Sequence, residues 1–340
     1  MRHPMEDNTA SYKGTAKNPY FLSTKNESFR RTLRFCEKAA ASNVNILLTG
    51  ESGTGKEVLA RYIHNCSSRR EGNFIAVNCS AFSDSLLESE LFGHEQGAFT
   101  GATGTKKGKF EYSEGGTFFL DEVGDMSQTT QLKLLRVLET KTMERIGSND
   151  PIEIDFRLIS ATHQDLKDMV QHGLFREDFL YRISTVVIQV PSLRQRKEDL
   201  EDLTDFFLRK SEAENHIQIH TIEPSVKEFL LNYDYFGNIR ELKNIIDRMV
   251  VLSENGVITR DGLPVLYSFG KNAPEDAPAG PRSADFDEII PFQEFKHRSE
   301  KEYLEWVLKQ TGGNVAEASR RLQLSTRQLF SKIKMLEIKK

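Results

Sequence analysis

The stretch NVNILLTGESGTGKEVLARYIHN, residues 43–65, constrains the fold of this chain more than any other. An apolar run of strand length (43–50) meets Gly50, Glu51, Ser52, Gly53, Thr54, Gly55 and Lys56, which satisfy the G-x-x-x-x-G-K spacing, and a helical period follows. In that context glycines let backbone N–H groups converge on phosphate oxygens, at a helix N-terminus whose field favours negative charge. Lys56 would bridge the β- and γ-phosphates of a nucleotide. A glycine-rich turn with no ligand is the competing reading, and the agreement of spacing, lysine and flanking elements weighs against it. The general motif has Ser or Thr after the lysine to hold magnesium, and Glu57 stands there instead.

Four more apolar runs read as buried strands: NFIAVNCS (73–80), GTFFLDE (116–122), DFRLISATH (155–163) and TVVIQVPSL (185–193). Helical patterns such as SQTTQLKLLRVLET (127–140) lie between them. The alternation predicts an α/β fold, a parallel sheet flanked by helices on both faces. From about 194 to 265 the strand signal nearly vanishes, and EDLEDLTDFFLRK and SVKEFLLNY suggest a small helical subdomain. KNAPEDAPAGPRSAD (271–285) reads as an extended linker. The expected organisation is a flexible tail (1–18), an α/β subdomain (19–193), a helical subdomain (194–265), a linker (266–290) and a C-terminal helical domain (291–340).

The third strand carries a second element of the site. Thr117 to Leu120 run into Asp121 and Glu122, two carboxylates at the carboxyl end of a buried strand, where open α/β sheets bind ligands. Asp121 would hold Mg²⁺ through water, and Glu122 is placed to orient and polarise an attacking water. An acidic pair at a strand end is a common solvated turn; beside a phosphate loop it reads as catalytic.

The C-terminal end differs in charge. Residues 291–340 hold seven Lys and four Arg against six Glu, a balance of +5 in a chain whose net charge is -4. EKEYLEWVLKQTGGN supplies a helix with Leu304, Val307 and Leu308 on one face, VAEASRRL a second, and a third starts with Ser325 as N-cap and Gln328 at the capping-box position. This is a helix-turn-helix, with Thr326, Arg327, Gln328 and Lys332 as candidates to reach bases or phosphates of double-stranded DNA. A basic helical module making protein contacts is the alternative.

Composition excludes other classes. At 340 residues, 38% hydrophobic and 28% charged, the chain is expected to be soluble with two or three domains, and no segment approaches the eighteen or more apolar residues of a membrane span. Cys36, Cys66 and Cys79 show neither paired nor metal spacing, so buried free thiols in a cytoplasmic setting are expected.

The run from about 19 to 265 resembles the central AAA+ ATPase domain of sigma-54-dependent transcriptional activators, the NtrC-type enhancer-binding proteins. GESGTGKE, ELFGHEQGAFTGA, GGTFFLDE, FREDFLYRI, PSLRQRKEDL and GNIREL stand in the family's order. Glu57 is then a subfamily feature. The resemblance implies ATP and Mg²⁺ as cofactors, and it assigns Gly97, Ala98, Phe99, Thr100, Gly101 and Ala102 to a loop that touches the sigma-54 factor of RNA polymerase, with Phe99 and Thr100 as contact residues. It further implies Arg176 and Arg182 as arginine fingers across a homo-oligomeric ring, a hexamer being the expected form. Asn78 is implied as the polar residue holding the catalytic Glu away from water, Thr162 with His163 as the sensor, and Arg240 as the arginine of the helical lid. Where the family commonly has Trp-Pro before Gly-Asn, this chain has Tyr235-Phe236. The C-terminal pattern resembles the family's Fis-type domain, with Gln323 where Gly is common.

The reading is an ATP-hydrolysing activator that binds an upstream DNA site and remodels the sigma-54 polymerase closed complex. A DNA-binding regulator whose nucleotide site only controls assembly, and an AAA+ machine acting on DNA directly, are the alternatives. Only about twenty residues precede the ATPase region, so control by a regulatory protein in trans, or by a domain absent from this chain, is expected.

Overall fold

Each of the five apolar runs forms a strand: β1 (Ile46–Thr49), β2 (Phe74–Asn78), β3 (Thr117–Asp121), β4 (Arg157–Thr162) and β5 (Val186–Gln189). They make one sheet in the order β2-β3-β4-β1-β5, with every neighbouring pair parallel. The computed structural model describes residues 22–262 together with 301, 303–309, 311, 314–322, 329, 332, 333 and 336. The expected tail and linker therefore lie outside the described residues. The chain divides into two units, Met1–Ser268 and Phe269–Lys340.

Helices that accompany the sheet include α1 (Glu27–Ala40), α2 (Lys56–Asn65), α3 (Asp84–Phe92), α4 (Gln128–Thr140), α5 (Leu166–Gln171) and α6 (Glu177–Ile183). Local chemistry starts them: Asn26 caps α1 by accepting from the Phe29 N–H, and Ser127 caps α4 by accepting from Thr130. Strand side chains alternate between two cores. Leu47, Phe118, Leu120 and Leu158 pack with α3, α4 and α6, while Ile46, Leu48, Phe119 and Ile159 pack with α1 and α2. Burial of both faces is why these strands read as unbroken apolar runs.

Arg157 breaks that pattern. It opens β4 yet is 1% exposed, and its guanidinium donates to the carbonyls of Ala39 and Ala40 at 2.8 and 2.9 Å. Those carbonyls lie in the last turn of α1, where a cation complements the helix dipole; the Ala39 carbonyl also accepts from the N–H and hydroxyl of Ser42 at 3.2 and 3.0 Å. Burial lowers its pKa to about 10. The cysteine expectation is corrected at one position: Cys36 and Cys79 are buried, but Cys66, at the C-terminal cap of α2, is exposed because α2 ends at the surface there.

The helical subdomain contains α7 (Leu200–Asn215), α8 (Pro224–Asn232) and α9 (Asn238–Val251) around a core of its own, plus a two-residue parallel pair, Thr221–Ile222 with Val257–Ile258, that the sequence did not reveal. Tyr235 is buried in that core and its hydroxyl donates to the Leu230 carbonyl at 2.7 Å, whereas Phe236 is 72% exposed. Tyr235 thus fills the lid interior where the family commonly has Trp. In the C-terminal unit, residues 303–309 are helical, α10 (Val315–Arg321) follows, and Leu304, Val307 and Leu308 pack with Ala318, Leu329, Ile333 and Leu336. The apolar face expected for the first of these helices is the buried one.

Candidate nucleotide site and its loop

The carboxyl ends of β1, β3 and β4 meet in one crevice. β1 lies between β4 and β5, with Thr49 opposite both Thr162 and Gln189, so the glycine-rich turn leaves the sheet where strand order reverses. The Lys56 ammonium is 6% exposed and donates to the carbonyls of Gly50 and Glu51 at 2.9 and 3.2 Å. Burial holds its pKa down, opposed by the charges of Glu122 and Asp121. Thr54 is buried, with its hydroxyl on the Glu51 carbonyl, and Glu57 points along α2 to pair with Arg61 at 2.8 Å. In this conformation the Glu57 carboxylate is engaged on its own helix.

The two carboxylates of β3 have different surroundings. Burial raises the Asp121 pKa, and the neighbouring Glu122 charge raises it further. A cation would relieve that cost. Among the described residues no group of three or more His, Cys, Asp or Glu could hold a metal ion. Glu122 sits at φ 53°, ψ 51°, a left-handed conformation rare outside glycine. One of its oxygens lies 4.0 Å from Lys56 Nζ, and the other is bonded to His163.

Asn78 stands opposite Asp121 in the β2–β3 register. Its carboxamide oxygen accepts from the N–H and hydroxyl of Ser80 at 2.9 and 2.7 Å, so it caps a turn; Asn78 makes no hydrogen bond to Glu122 in this structure, and the Glu122 carboxylate is bonded to His163. The Thr162 hydroxyl accepts from the Gln164 N–H at 3.0 Å. Arg240 donates to the Ser52 hydroxyl at 2.8 Å and so reaches the phosphate loop from α9. Arg176 is paired with Asp178, and Arg182 donates to the Leu138 carbonyl; neither is engaged with the phosphate loop of its own chain.

Three further residues join the loop to the helical subdomain and escaped the sequence reading. Asn238 donates to Glu51 and to the Ser52 carbonyl, and its own oxygen accepts from Leu193 N–H. Arg194 grips both oxygens of Glu51, and Arg196, buried over the Phe29 ring, donates to the Thr54 carbonyl at 2.9 Å. The run GNIREL and the arginines of PSLRQRKEDL were visible, but which of them turn inward depends on the packing of α9.

The segment Gly97 to Ala102 forms a closed hairpin tip, with the Gly97 N–H on the Ala102 carbonyl at 3.0 Å. Gly97 and Gly101 take φ of 82° and 108°, which favour glycine. Phe99 is 44% exposed with its ring edge-on to His94, Thr100 is exposed, and Ala98 packs against Gly147. The base of this hairpin is fastened by Arg145, which binds Glu95 at 2.8 Å and Glu111 at 2.7 Å. Arg145 and its hydrogen bonds hold Glu111 below the usual carboxylate range. Of the DNA-contact candidates, Lys332 is helical, while Thr326, Arg327 and Gln328 lie outside the described residues.

Residues 22–189 match the sigma-54 interaction domain, residues 194–279 the AAA+ ATPase lid domain and residues 298–336 the bacterial regulatory protein, Fis family. The chain is similar to transcriptional regulatory protein ZraR of Salmonella typhimurium, 43% identical over 295 residues that cover 86% of this chain and 64% of the relative. It is 42% identical to ZraR of Klebsiella oxytoca over 306 residues, covering 90% of this chain and 67% of that one. Among solved structures it is similar to NtrX from Brucella abortus, with a TM-score of 0.72 and 33% identity over 93% of this chain and 69% of that chain, a protein also solved with ATP. The chain thus spans somewhat less than two thirds of the first relative's length. Among the described residues no helix is long and apolar enough to cross a membrane. Since the three domain matches follow one another along the α/β part, the lid and the C-terminal unit, the chain belongs to the family of sigma-54-dependent transcriptional activators.

Proposed function

We propose that this chain hydrolyses ATP in a homo-oligomeric ring and uses the 97–102 hairpin to remodel the sigma-54 RNA polymerase closed complex, bound to upstream DNA through its C-terminal helices. The observation that carries the reading is the convergence of Lys56 with Asp121 and Glu122 at the switch point of the sheet, 4.0 Å separating Lys56 Nζ from the Glu122 carboxylate. The glycine-rich turn binds the phosphates, Lys56 leaves its carbonyl partners to neutralise charge on them, and Asp121 with water and phosphate oxygens would hold Mg²⁺, which supplies charge neutralisation. Glu122 orients water for in-line attack on the γ-phosphorus, and the bond to the leaving oxygen of ADP breaks.

Arg176, at the N-cap of α6, and Arg182, within it, are the groups proposed to reach a neighbouring subunit's phosphates, making turnover depend on assembly. Arg240 and Asn238 connect the phosphate loop to the lid, so a change at the loop moves α9. Phe99 and Thr100, at the exposed tip, are the proposed sigma-54 contacts. The test is promoter opening on a supercoiled sigma-54 template with and without this protein. Opening that requires hydrolysable ATP is expected; steady ATPase activity without opening would redirect the reading to another remodelling target.

A further inference from the structure

The sheet ends on an open edge at β5. In the order β2-β3-β4-β1-β5 this strand pairs with β1, and among the described residues no strand pairs with its other side. The N–H groups of Val186 and Val190 donate to the carbonyls of Asn45 and Thr49 at 3.1 and 2.7 Å, so by alternation the N–H and C=O of Val187 and Gln189 point away from the sheet. Natural sheets block further pairing at such an edge with charge, proline or a bulge. The strand Val186–Gln189 reads Val-Val-Ile-Gln, with neither charge nor proline, and Val187 is 53% exposed.

Both faces beside that edge are hollow. The Ile188 side chain packs toward α1 and α2, so those of Val187 and Gln189 stand on the other face. There they border a cavity of about 770 Å³ lined by Leu180 and Tyr181 of α6 and by Gly50 and Glu51 of the phosphate loop. On the α1 side a second cavity of about 530 Å³ runs beside Arg31, Thr32 and Phe35. A strand laid along β5 would send successive side chains alternately into these two spaces. The α1 side carries surplus positive charge: Arg30, Arg31 and Arg34 share the carboxylate of Glu27 at 3.2, 3.5 and 3.4 Å, and all three guanidinium side chains are exposed. We propose that the open edge of β5 is the docking site for an extended acidic segment of a partner protein, which adds a sixth strand to the sheet. Backbone hydrogen bonds to Val187 and Gln189 supply the affinity, apolar side chains seat against Leu180 and Tyr181, and the alternate carboxylates meet Arg31. Because the same cavity reaches Gly50 and Glu51, an occupied edge abuts the phosphate loop.

The test selects random decapeptides, displayed on phage, against the whole chain without nucleotide, and titrates the recovered peptides as fluorescein conjugates. Proline at position 187 removes an N–H that faces solvent, so the bonds to β1 remain while the edge loses a donor. Recovered peptides should alternate apolar and acidic residues and should slow amide exchange at Val187 and Gln189. Val187→Pro should weaken them about 10-fold or more, the effect of leaving a buried acceptor unpaired, whereas Val187→Thr, which keeps the N–H, should bind within about threefold of wild type. Arg31→Glu should weaken them about 2- to 5-fold, the size of an exposed ion pair. No enriched peptide, or peptides that bind wild type and Val187→Pro alike, overturns the docking edge. Peptides that lack acidic residues and ignore Arg31→Glu overturn the assigned chemistry of the partner. A chain that sediments as a dimer without nucleotide and turns monomeric in Val187→Pro has its edge covered by a second copy, which overturns the partner altogether.

Discussion

A single methyl group at Gly53 should uncouple the phosphate loop from the lid. Gly53 has φ +77°, and a Cβ there would lie 2.3 Å from the Gly237 carbonyl oxygen and 3.1 Å from Arg240 Cβ. The left-handed conformation alone costs an alanine about 1–2 kcal/mol. The 2.3 Å approach cannot be absorbed by a rotamer, because the obstacle is backbone. Loop and lid must part, which breaks the Ile239 N–H bond to the Gly53 carbonyl at 3.0 Å and the Asn238 bond to the Ser52 carbonyl at 3.0 Å. At roughly 1 kcal/mol for each bond, the total reaches about 3–4 kcal/mol. With the docked loop as the form that binds ATP, affinity should fall by about 100- to 1,000-fold, since 1.4 kcal/mol is a factor of ten. Two other glycines separate the contributions. Gly97 has φ +82° with nothing within 4 Å, so alanine there carries strain alone, and Gly104 has neither strain nor neighbours. Titration with a fluorescent ATP analogue should show a large loss for Gly53→Ala and none for Gly97→Ala or Gly104→Ala. Affinity within about twofold of wild type for Gly53→Ala would refute the reasoning.

Other outcomes follow from individual contacts. Arg157→Met should lower stability by about 1–2 kcal/mol, because the Ala40 carbonyl loses its side-chain donor and the Ala39 carbonyl one of several while the buried charge is relieved; Arg157→Ala should lose more, and a Met variant that melts no earlier than wild type would contradict this. Burial holds the pKa of His64, which bonds Thr117 Oγ1 at 2.9 Å, below its ordinary value of 6.5, with the charges of Arg61 and Arg157 adding to the effect. The unfolded chain therefore binds the proton more readily, so the stability contributed by neutral His64 is complete above 6.5 and is lost as pH falls through the lower folded value. His64→Gln should flatten thermal stability against pH across that window. Thr100→Ala should hydrolyse ATP normally yet fail to open promoters, and normal opening would sink the loop assignment. Glu122→Gln should lose roughly 10²–10⁴-fold in turnover, and intact promoter opening by that variant would instead favour a nucleotide-controlled assembly switch.

Much of the fold was legible because its signals are local. Five apolar runs alternating with helical periods state a parallel sheet, and the spacing from Gly50 to Lys56 states a phosphate loop. Tyr235, which departs from the commonest family residue, still packs as a lid core side chain because an aromatic ring with one satisfied hydroxyl fits that space. The missed parts were partnerships. Arg157 lies far along the chain from the end of α1, and only packing brings its guanidinium to the carbonyls of Ala39 and Ala40. Glu95, Glu111 and Arg145 are scattered along the chain, and only the docking of the hairpin base makes them one network.

The sequence by itself determined the fold class, the phosphate loop, the acidic pair at the end of β3 and the family, since each is written in short-range spacing of residue types. Tertiary structure alone decided which groups hold one another. Asn78 and His163 both flank Glu122 at strand ends, and either could have been its partner on paper. Asn78 accepts from Ser80 and makes no hydrogen bond to Glu122, while the left-handed turn at Glu122 delivers the carboxylate to His163. Hydrogen bonds are directional, so which strand-end donor meets the carboxylate is set by backbone geometry that no residue type encodes.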